Sequence, residues 1–369
     1  MYCRNCYKQV NDNSEICEHC GYEIGKKNYT IPKTILEKAI EFTKNKPKKA
    51  IVIMIAVGVI LLMVFGVVIP RIKPYSIKSN KYVYEYCGTH IRLAKYLGTE
   101  EIVKIPAFVG WLPVSEIGKE CFLENEIVQE VIISDTVRII GEKAFCGCDN
   151  LQKVKFPSGL KEIKRSAFRY SSLAELEIPN RVEEIGEGAF SNTKIKNVTI
   201  PESVKVISID AFGYCSLLED VTISENVEEI WESSFEETPW FDNQKEEFVI
   251  VGNKVLIKYN GQDSTICVPE GVTFIDFMVF HIVERGPIDV IVLPTSLEKT
   301  KIYSGELNLV GYIVFQSDLD KKDIERIIRL SGNGARFVAP VDSIVYKTLT
   351  REGVECMTLE EYEEVYGLP

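Results

Sequence analysis

Four cysteines near the N-terminus have the residue type and the spacing of a metal site. Cys3 and Cys6 form one C-x2-C pair, Cys17 and Cys20 form a second, and ten residues separate the pairs. Each pair can place two sulfurs on one tight turn, and two such turns supply the four thiolates of a tetrahedral Zn²⁺ site. Four protein ligands leave no position for water or substrate, so we expect a structural zinc ion rather than a catalytic one. Two disulfides are the alternative use of these thiols.

The segment that must position these cysteines is short. Residues 1–25 have too small a core to fold unaided, so metal binding would drive their folding. They resemble the short zinc-ribbon domains at the N-termini of many bacterial membrane proteins, although Tyr7 stands where those domains usually have glycine. Because reduced thiolates persist best in the cytoplasm, this chemistry favours a cytoplasmic N-terminus.

A basic linker over residues 26–49 leads to an apolar run from Ala50 to Ile69, which has twenty residues and no charge. At ~1.5 Å per residue, a helix of this length crosses the ~30 Å hydrocarbon core of a bilayer. A buried core helix is the alternative, but such helices rarely lack a polar face. The sequence therefore predicts one transmembrane helix over residues 50–69, followed by a linker over residues 70–79.

The basic residues on either side of this run bear on its orientation. The fifteen residues before it contain five lysines, and the fifteen after it contain four lysines and arginines. Cytoplasmic flanks carry the excess of positive charge, so the N-terminus is predicted to be cytoplasmic and the long C-terminal part extracellular.

Charge and histidine content limit the classes of function. Residues 1–49 hold ten Lys and Arg against six Asp and Glu, or +4, whereas residues 70–369 hold 33 against 48, or −15. An acidic C-terminal part argues against nucleic-acid binding by this part of the chain. The chain has three histidines and shows no motif of nucleophile and base, so we expect that it is not an enzyme.

One pattern recurs along the C-terminal part. It ends in an aromatic residue preceded five positions earlier by isoleucine, and successive copies are 22 or 23 residues apart. The aromatic residues are Phe122, Phe145, Phe168, Phe190, Phe212 and Phe235. Each copy also contains one short strand, and a period of this length is typical of a leucine-rich-repeat solenoid, in which short parallel strands stack.

The consensus I/F-P/S-x-x-V-x-x-I-G-x-x-A-F resembles the BspA-like leucine-rich repeats of bacterial cell surfaces. The resemblance implies a repeat domain over residues 80–316 that is exposed at the surface and contacts proteins or a host surface. A seventh copy retains Ile275 and Phe280, and the residues near 236–265 are predicted to form an inserted hairpin that turns at Gly252 and Asn253.

The repeat pattern stops after residue 316. Isoleucines at 324, 327 and 328 share one helical face, and Thr358 and Glu361 have the spacing of a capping box. Because solenoids need polar ends, residues 317–369 are predicted to form a helical C-terminal cap.

The cysteines of the repeat region follow the repeat rather than a disulfide framework. Cys121 occupies a position that alanine fills in other copies, and Cys148 and Cys215 share the third position after the aromatic residue. Cys267 lies in a predicted strand. We interpret these thiols as small core residues.

Alternation along the strands indicates a candidate binding face. Leu151, Val154 and Phe156 should point inward, while the lysines between them point outward. The outward residues of the stacked strands are Glu130, Ile132, Lys153, Lys155, Glu175, Glu177, Asn197, Thr199, Asp220 and Thr222. They predict a polar ribbon, for which a solvated sheet without a ligand is the alternative.

Together these features predict a single-pass membrane protein with a cytoplasmic zinc ribbon and an external repeat domain that binds a protein or host-surface ligand. The alternative is a regulatory or sensory membrane protein, in which the zinc ribbon contacts a cytoplasmic partner and the repeats act as the input domain.

Overall fold

A computed structural model describes residues 76–231, 233–280, 287–301, 310–330 and 335–367. The predicted zinc ligands Cys3, Cys6, Cys17 and Cys20 and the predicted span over residues 50–69 lie outside the described residues. Within the described residues, no helix is long and apolar enough to cross a membrane. The same residues contain no group of three or more His, Cys, Asp or Glu side chains that could hold a metal ion.

The described residues divide into two compact units. The first includes residues 76–98 and Ala107–Ser115, and the second includes Thr99–Pro106 and the described residues from Glu116 onward. The first unit contains an antiparallel meander of β1 (Ser76–Lys78), β2 (Tyr82–Tyr86) and β3 (Ile91–Tyr96). Alternating residues of β2 and β3 form its buried core. The repeat domain was predicted to begin at residue 80, but these residues pair antiparallel, and the parallel pairing begins at residue 102.

The second unit is a solenoid in which each coil contributes two short strands. Strands of the front sheet are β4 (Ile102–Lys104), β7 (Glu130–Ile132), β9 (Lys153–Lys155), β12 (Asn197–Ile200) and β14 (Asp220–Ile223). Between β9 and β12, the corresponding coil contributes an isolated parallel bridge from Lys153 to Glu175. All of these pairings are parallel, as the repeat pattern predicts.

The back sheet uses the isoleucine that recurs five residues before each aromatic residue. Its strands are the end of β6 (Leu112–Ile117), β8 (Ile139–Ile140), β10 (Glu162–Ile163), β11 (Glu184–Ile185), β13 (Val206–Ile207) and β15 (Glu229–Ile230). Neighbours pair in parallel with isoleucine beside isoleucine. The remaining short strand, β5 (Phe108–Val109), forms a tight antiparallel pair with the first residues of β6.

The recurring phenylalanines form one continuous stack inside the turns that follow the back sheet. Adjacent ring centroids are between 4.7 and 5.4 Å apart from Phe122 to Phe235, and the ring planes lie within 18° of parallel. All six rings are buried. Each of the four inner rings therefore packs against the rings of both neighbouring coils, which explains why a single repeat is not a stable unit.

Each of these turns, here called a Phe turn, contains two residues in the left-handed conformation, two positions before and two positions after the phenylalanine. These residues are Glu120, Glu124, Lys143, Gly147, Ser166, Tyr170, Gly188, Asn192, Asp210, Tyr214, Ser233 and Glu237. Only two of the twelve are glycine. The positions of glycine in the sequence therefore do not identify these turns.

The predicted hairpin insertion is present. After the helical turn α1 (Pro239–Asp242), capped by Thr238, β16 (Phe248–Val251) pairs antiparallel with β17 (Val255–Tyr259). Gly252 makes the turn with a φ of 56°, and a Cβ there would lie 2.8 Å from the Val227 carbonyl oxygen. The insertion therefore needs glycine at this position.

Beyond the hairpin, the back sheet resumes. Strand β17 pairs in parallel with β19 (Phe274–Asp276), and β19 pairs with β21 (Lys299–Lys301). A short 3-10 helix, Phe277–Phe280, replaces the regular Phe turn after β19 and buries Phe280.

A second front-face sheet continues to the C-terminal end. Its parallel strands are β18 (Thr265–Cys267), β20 (Ile288–Val292), β22 (Val310–Val314), β23 (Arg336–Ala339) and β24 (Cys356–Thr358). Helices α2 (Lys321–Leu330), α3 (Ile344–Arg351) and α4 (Leu359–Tyr366) follow its last three strands. Residues 317–369 thus contain helices, as expected, but β23 and β24 continue the strand stack beyond residue 316, which the repeat pattern does not predict.

Candidate functional site

The front sheet from β4 to β14 presents one row of outward side chains on each coil. In β7 and β9, Glu130 lies opposite Lys153 and Ile132 lies opposite Lys155. Val131 and Val154, which alternate with them, face the core and are buried. The alternation predicted from the sequence is therefore confirmed, and the outward residues form a continuous surface, here called the front surface.

The ten predicted residues differ in how much they protrude from this surface. Eight of them are exposed, namely Lys153, Lys155, Glu175, Glu177, Asn197, Thr199, Asp220 and Thr222. Glu130 and Ile132 are half-buried. The structure therefore brings all ten to the same face, and the exposed part begins at β9.

Opposite charges lie beside each other at the start of the exposed part. Lys153 Nζ donates to Glu175 Oε2 at 2.7 Å, and this hydrogen bond raises the pKa of Lys153 above its ordinary value. Glu130 adds to the negative charge on the other side of Lys153. Because both partners of the pair are exposed, it contributes little to folding, and its charges remain at the surface.

The end of the front surface is polar without basic residues. Asn197 lies opposite Asp220, and Thr199 lies opposite Thr222. The amide, carboxylate and hydroxyl groups in this arrangement offer donors and acceptors on neighbouring strands about 4.8 Å apart. Such a surface suits contact with the polar groups of another protein.

Sequence reasoning missed one end of the front surface. Strand β4 pairs with β7 so that Ile102 lies opposite Glu130 and Lys104 opposite Ile132. Ile102 is 55% exposed and, together with the half-buried Ile132, makes this end of the face partly apolar. The stretch EIVKI alternates in the way expected of a front-sheet strand, but the first repeat is atypical and its strand was not recognised.

The prediction that the cysteines of the repeats are small core residues is confirmed for Cys121, Cys148 and Cys215 and is wrong for Cys267, which is exposed. Cys148 Sγ donates to the Phe122 carbonyl oxygen at 3.0 Å, and burial raises the pKa of this thiol to about 12. Cys215 Sγ contacts the Phe190 carbonyl oxygen at 3.1 Å, and burial raises its pKa as well. Cys121 is also buried, whereas Cys267 lies exposed in β18. Thiols kept neutral in this way are poor nucleophiles.

Comparison with known proteins identifies the repeats. The family described as "BspA type Leucine rich repeat region" matches residues 115–240 in 6 copies. This range contains all six stacked phenylalanines.

Solved structures that match the chain include two proteins described as leucine rich and one vaccine antigen. The T. pallidum leucine rich repeat protein is 21% identical, with a TM-score of 0.38, over 71% of this chain and 98% of that one. A leucine rich cell surface protein from Faecalibacterium prausnitzii is 20% identical, with a TM-score of 0.46, over 81% of this chain and 99% of that one. The pneumococcal vaccine antigen PcpA is 18% identical, with a TM-score of 0.41, over 77% of this chain and 98% of that one. No curated protein matches the chain.

Proposed function

We propose that this chain is a membrane-anchored repeat protein that binds another protein through the front surface. The observation that carries the proposal is the row of exposed, register-matched polar side chains from β9 to β14. BspA-type repeats over residues 115–240 support it, because stacked repeats create extended surfaces that serve in protein recognition.

Site-specific crosslinking tests this surface. A photoreactive residue placed at Lys155 or Thr199 should capture a protein partner presented outside the cell, while the same residue at Lys164, after β10 of the back sheet, should capture none. Both faces are exposed, so accessibility is matched. Equal adducts from the front and the back positions would show that the front surface is not the binding face.

The proposal includes an anchor and an orientation. Residues 50–69 cross the membrane, the N-terminus is cytoplasmic and the repeats are extracellular; the length of the apolar run, the lysine excess before it and the need of thiolates for a reducing compartment support this. The four N-terminal cysteines hold a structural Zn²⁺ ion on the cytoplasmic side.

Protease treatment of intact cells, or of spheroplasts where a wall intervenes, tests the orientation. We expect digestion of the repeats and survival of a small membrane-bound N-terminal fragment. A membrane-impermeant thiol reagent should label the exposed Cys267 on intact cells, without prior lysis of the membrane. If the repeats are protected until the membrane is lysed, the surface role is wrong, and the repeats act inside as the input of a regulatory protein.

A further inference from the structure

Backbone hydrogen bonds join each Phe turn to the Phe turn of the next coil, and the amides always donate toward the following coil. In a regular pair of coils, the amides of Lys143, Phe145 and Gly147 donate to carbonyl oxygens two residues apart on the next coil, at 3.0, 2.7 and 2.8 Å. Every second amide of a turn therefore points forward, like the edge of a β-strand. A last turn of this kind leaves its forward amides without acceptors unless another element covers them.

The series of Phe turns is interrupted after the turn that contains Phe235. The hairpin coil that follows runs from β17 to β18 by a short connection without the A-F motif. The amides of Ser233, Phe235 and Glu237 correspond to the forward donors, and none of them has a hydrogen-bond acceptor among the described residues. Trp240 covers the edge of the Phe235 ring, with centroids 5.0 Å apart, but supplies no acceptor to these amides.

A cavity occupies the place of the absent turn. Its volume is about 310 Å³, at the lower end of the ~300–1,000 Å³ typical of ligand pockets. One wall is the preceding turn, Ser233 to Glu236, and the opposite wall is Asp276 and Met278 from the next coil. Tyr214 and Phe241 line it as well, so that aromatic, thioether and carboxylate groups surround the forward amides.

Two carboxylates, those of Glu236 and Asp276, line the cavity, and its described lining contains no lysine or arginine. Asp276 is buried and accepts from the Met278 amide, and Lys301, which lies over the Trp231 ring, is close to it. Glu236, which accepts from the Ser233 hydroxyl, is therefore the carboxylate that can meet a ligand. Burial, followed by the charges of Glu236 and Asp210, raises the pKa of Tyr214 at this site. A ligand that fits should therefore offer acceptors to the amides and a cation to the Glu236 carboxylate.

We infer that this cavity binds a short peptide segment of a partner protein, with its backbone carbonyl oxygens on the amides of Ser233 and Phe235 and a lysine or arginine side chain beside Glu236. The segment takes the place of the absent Phe turn, and Phe241 and Met278 contact its aliphatic groups. Peptide addition to an open strand edge is an established mode of recognition. This site is distinct from the front surface, so either one can fail without the other.

A tripeptide that mimics a regular turn tests the inference. In acetyl-lysyl-alanyl-glycine amide, the acetyl and alanyl carbonyls reproduce the two acceptors that a regular turn offers at Glu142 and Ala144. With the full-length protein in detergent, a saturating concentration should slow hydrogen exchange of the amides of residues 233–237. The norleucine analogue, which lacks the charge, should bind roughly tenfold more weakly, because it loses a charge-assisted hydrogen bond.

Two matched variants distinguish binding at the cavity from general attraction of the lysine peptide to an acidic protein. Glu236→Gln should weaken the lysine peptide roughly tenfold and leave the norleucine peptide unchanged. Glu225→Gln, which removes an exposed carboxylate outside the cavity, should change neither. Absence of protection at residues 233–237, or equal effects of the two variants, would overturn the inference. Self-association of the protein that the peptide abolishes would also overturn it, because a second copy would then fill the cavity.

Discussion

Phe190 lies between Phe168 and Phe212, with ring centroids 5.4 Å from both neighbours, and is fully buried. Replacing it with alanine removes contacts to two coils at once. We expect Phe190→Ala to lower the free energy of unfolding by ~3–5 kcal/mol, measured by urea denaturation. Tyr170→Ala, at a half-exposed ring outside the stack, is the control and should cost much less. An unchanged midpoint for Phe190→Ala would contradict the assignment of the stack.

The buried thiol of Cys148 makes stability depend on alkaline pH. Its pKa is raised from 9.0 to about 12 in the folded protein, so the unfolded chain releases this proton first as the pH rises. The stabilisation is therefore complete below about pH 9 and is lost between about pH 9 and 12. In that range, wild-type stability should fall more steeply than that of Cys148→Ala, as followed by denaturant titrations at several pH values. Parallel curves would show that the thiol ionises equally easily in both states.

Among the elements, α4 shows how a capping box fixes the residue at which a helix begins. Thr358 accepts from the Glu361 amide at 3.1 Å, and the Glu361 carboxylate accepts from the Thr358 amide at 2.8 Å. Thr358→Ala should cost ~1 kcal/mol, because the Glu361 amide at the helix start loses its acceptor. Thr350→Ala, a hydroxyl bonded inside α3, is a control that leaves α4 intact. Hydrogen exchange at the start of α4 should rise in the first variant only.

Elements that repeat, or that carry a local sequence signal, were predictable from the sequence, and elements with neither were not. The isoleucine and phenylalanine spacing identified the coils, and Gly252 marked the hairpin because its backbone permits no other residue. The strands β23 and β24 were missed, since each is only three or four residues long and no repeat motif precedes it. The cavity was also missed, because it arises from a turn that is absent after Tyr259 rather than from residues that are present. The front surface was found because strand alternation depends on local sequence alone.

For the whole molecule, metal content tests the proposed N-terminal domain. We expect one zinc ion per chain in the purified full-length protein, measured by elemental analysis. Cys17→Ser should lose the metal, because three thiolates bind zinc far more weakly than four. Cys267→Ser, which removes an exposed thiol of the repeat unit, should retain it. A disulfide between Cys3 and Cys6, or between Cys17 and Cys20, in freshly isolated protein would contradict the zinc site.

The absent Phe turn also has a consequence for cooperativity. A solenoid behaves as a one-dimensional lattice, in which each coil is held by its coupling to the coils on either side. At the hairpin coil, this coupling loses the phenylalanine stacking and the forward hydrogen bonds, and the front sheet ends at β14 and restarts at β18. The weakest link of the lattice therefore lies in the middle of the repeats. The coils before it and the coils after it can melt as separate cooperative blocks, so that damage in one block need not spread to the other.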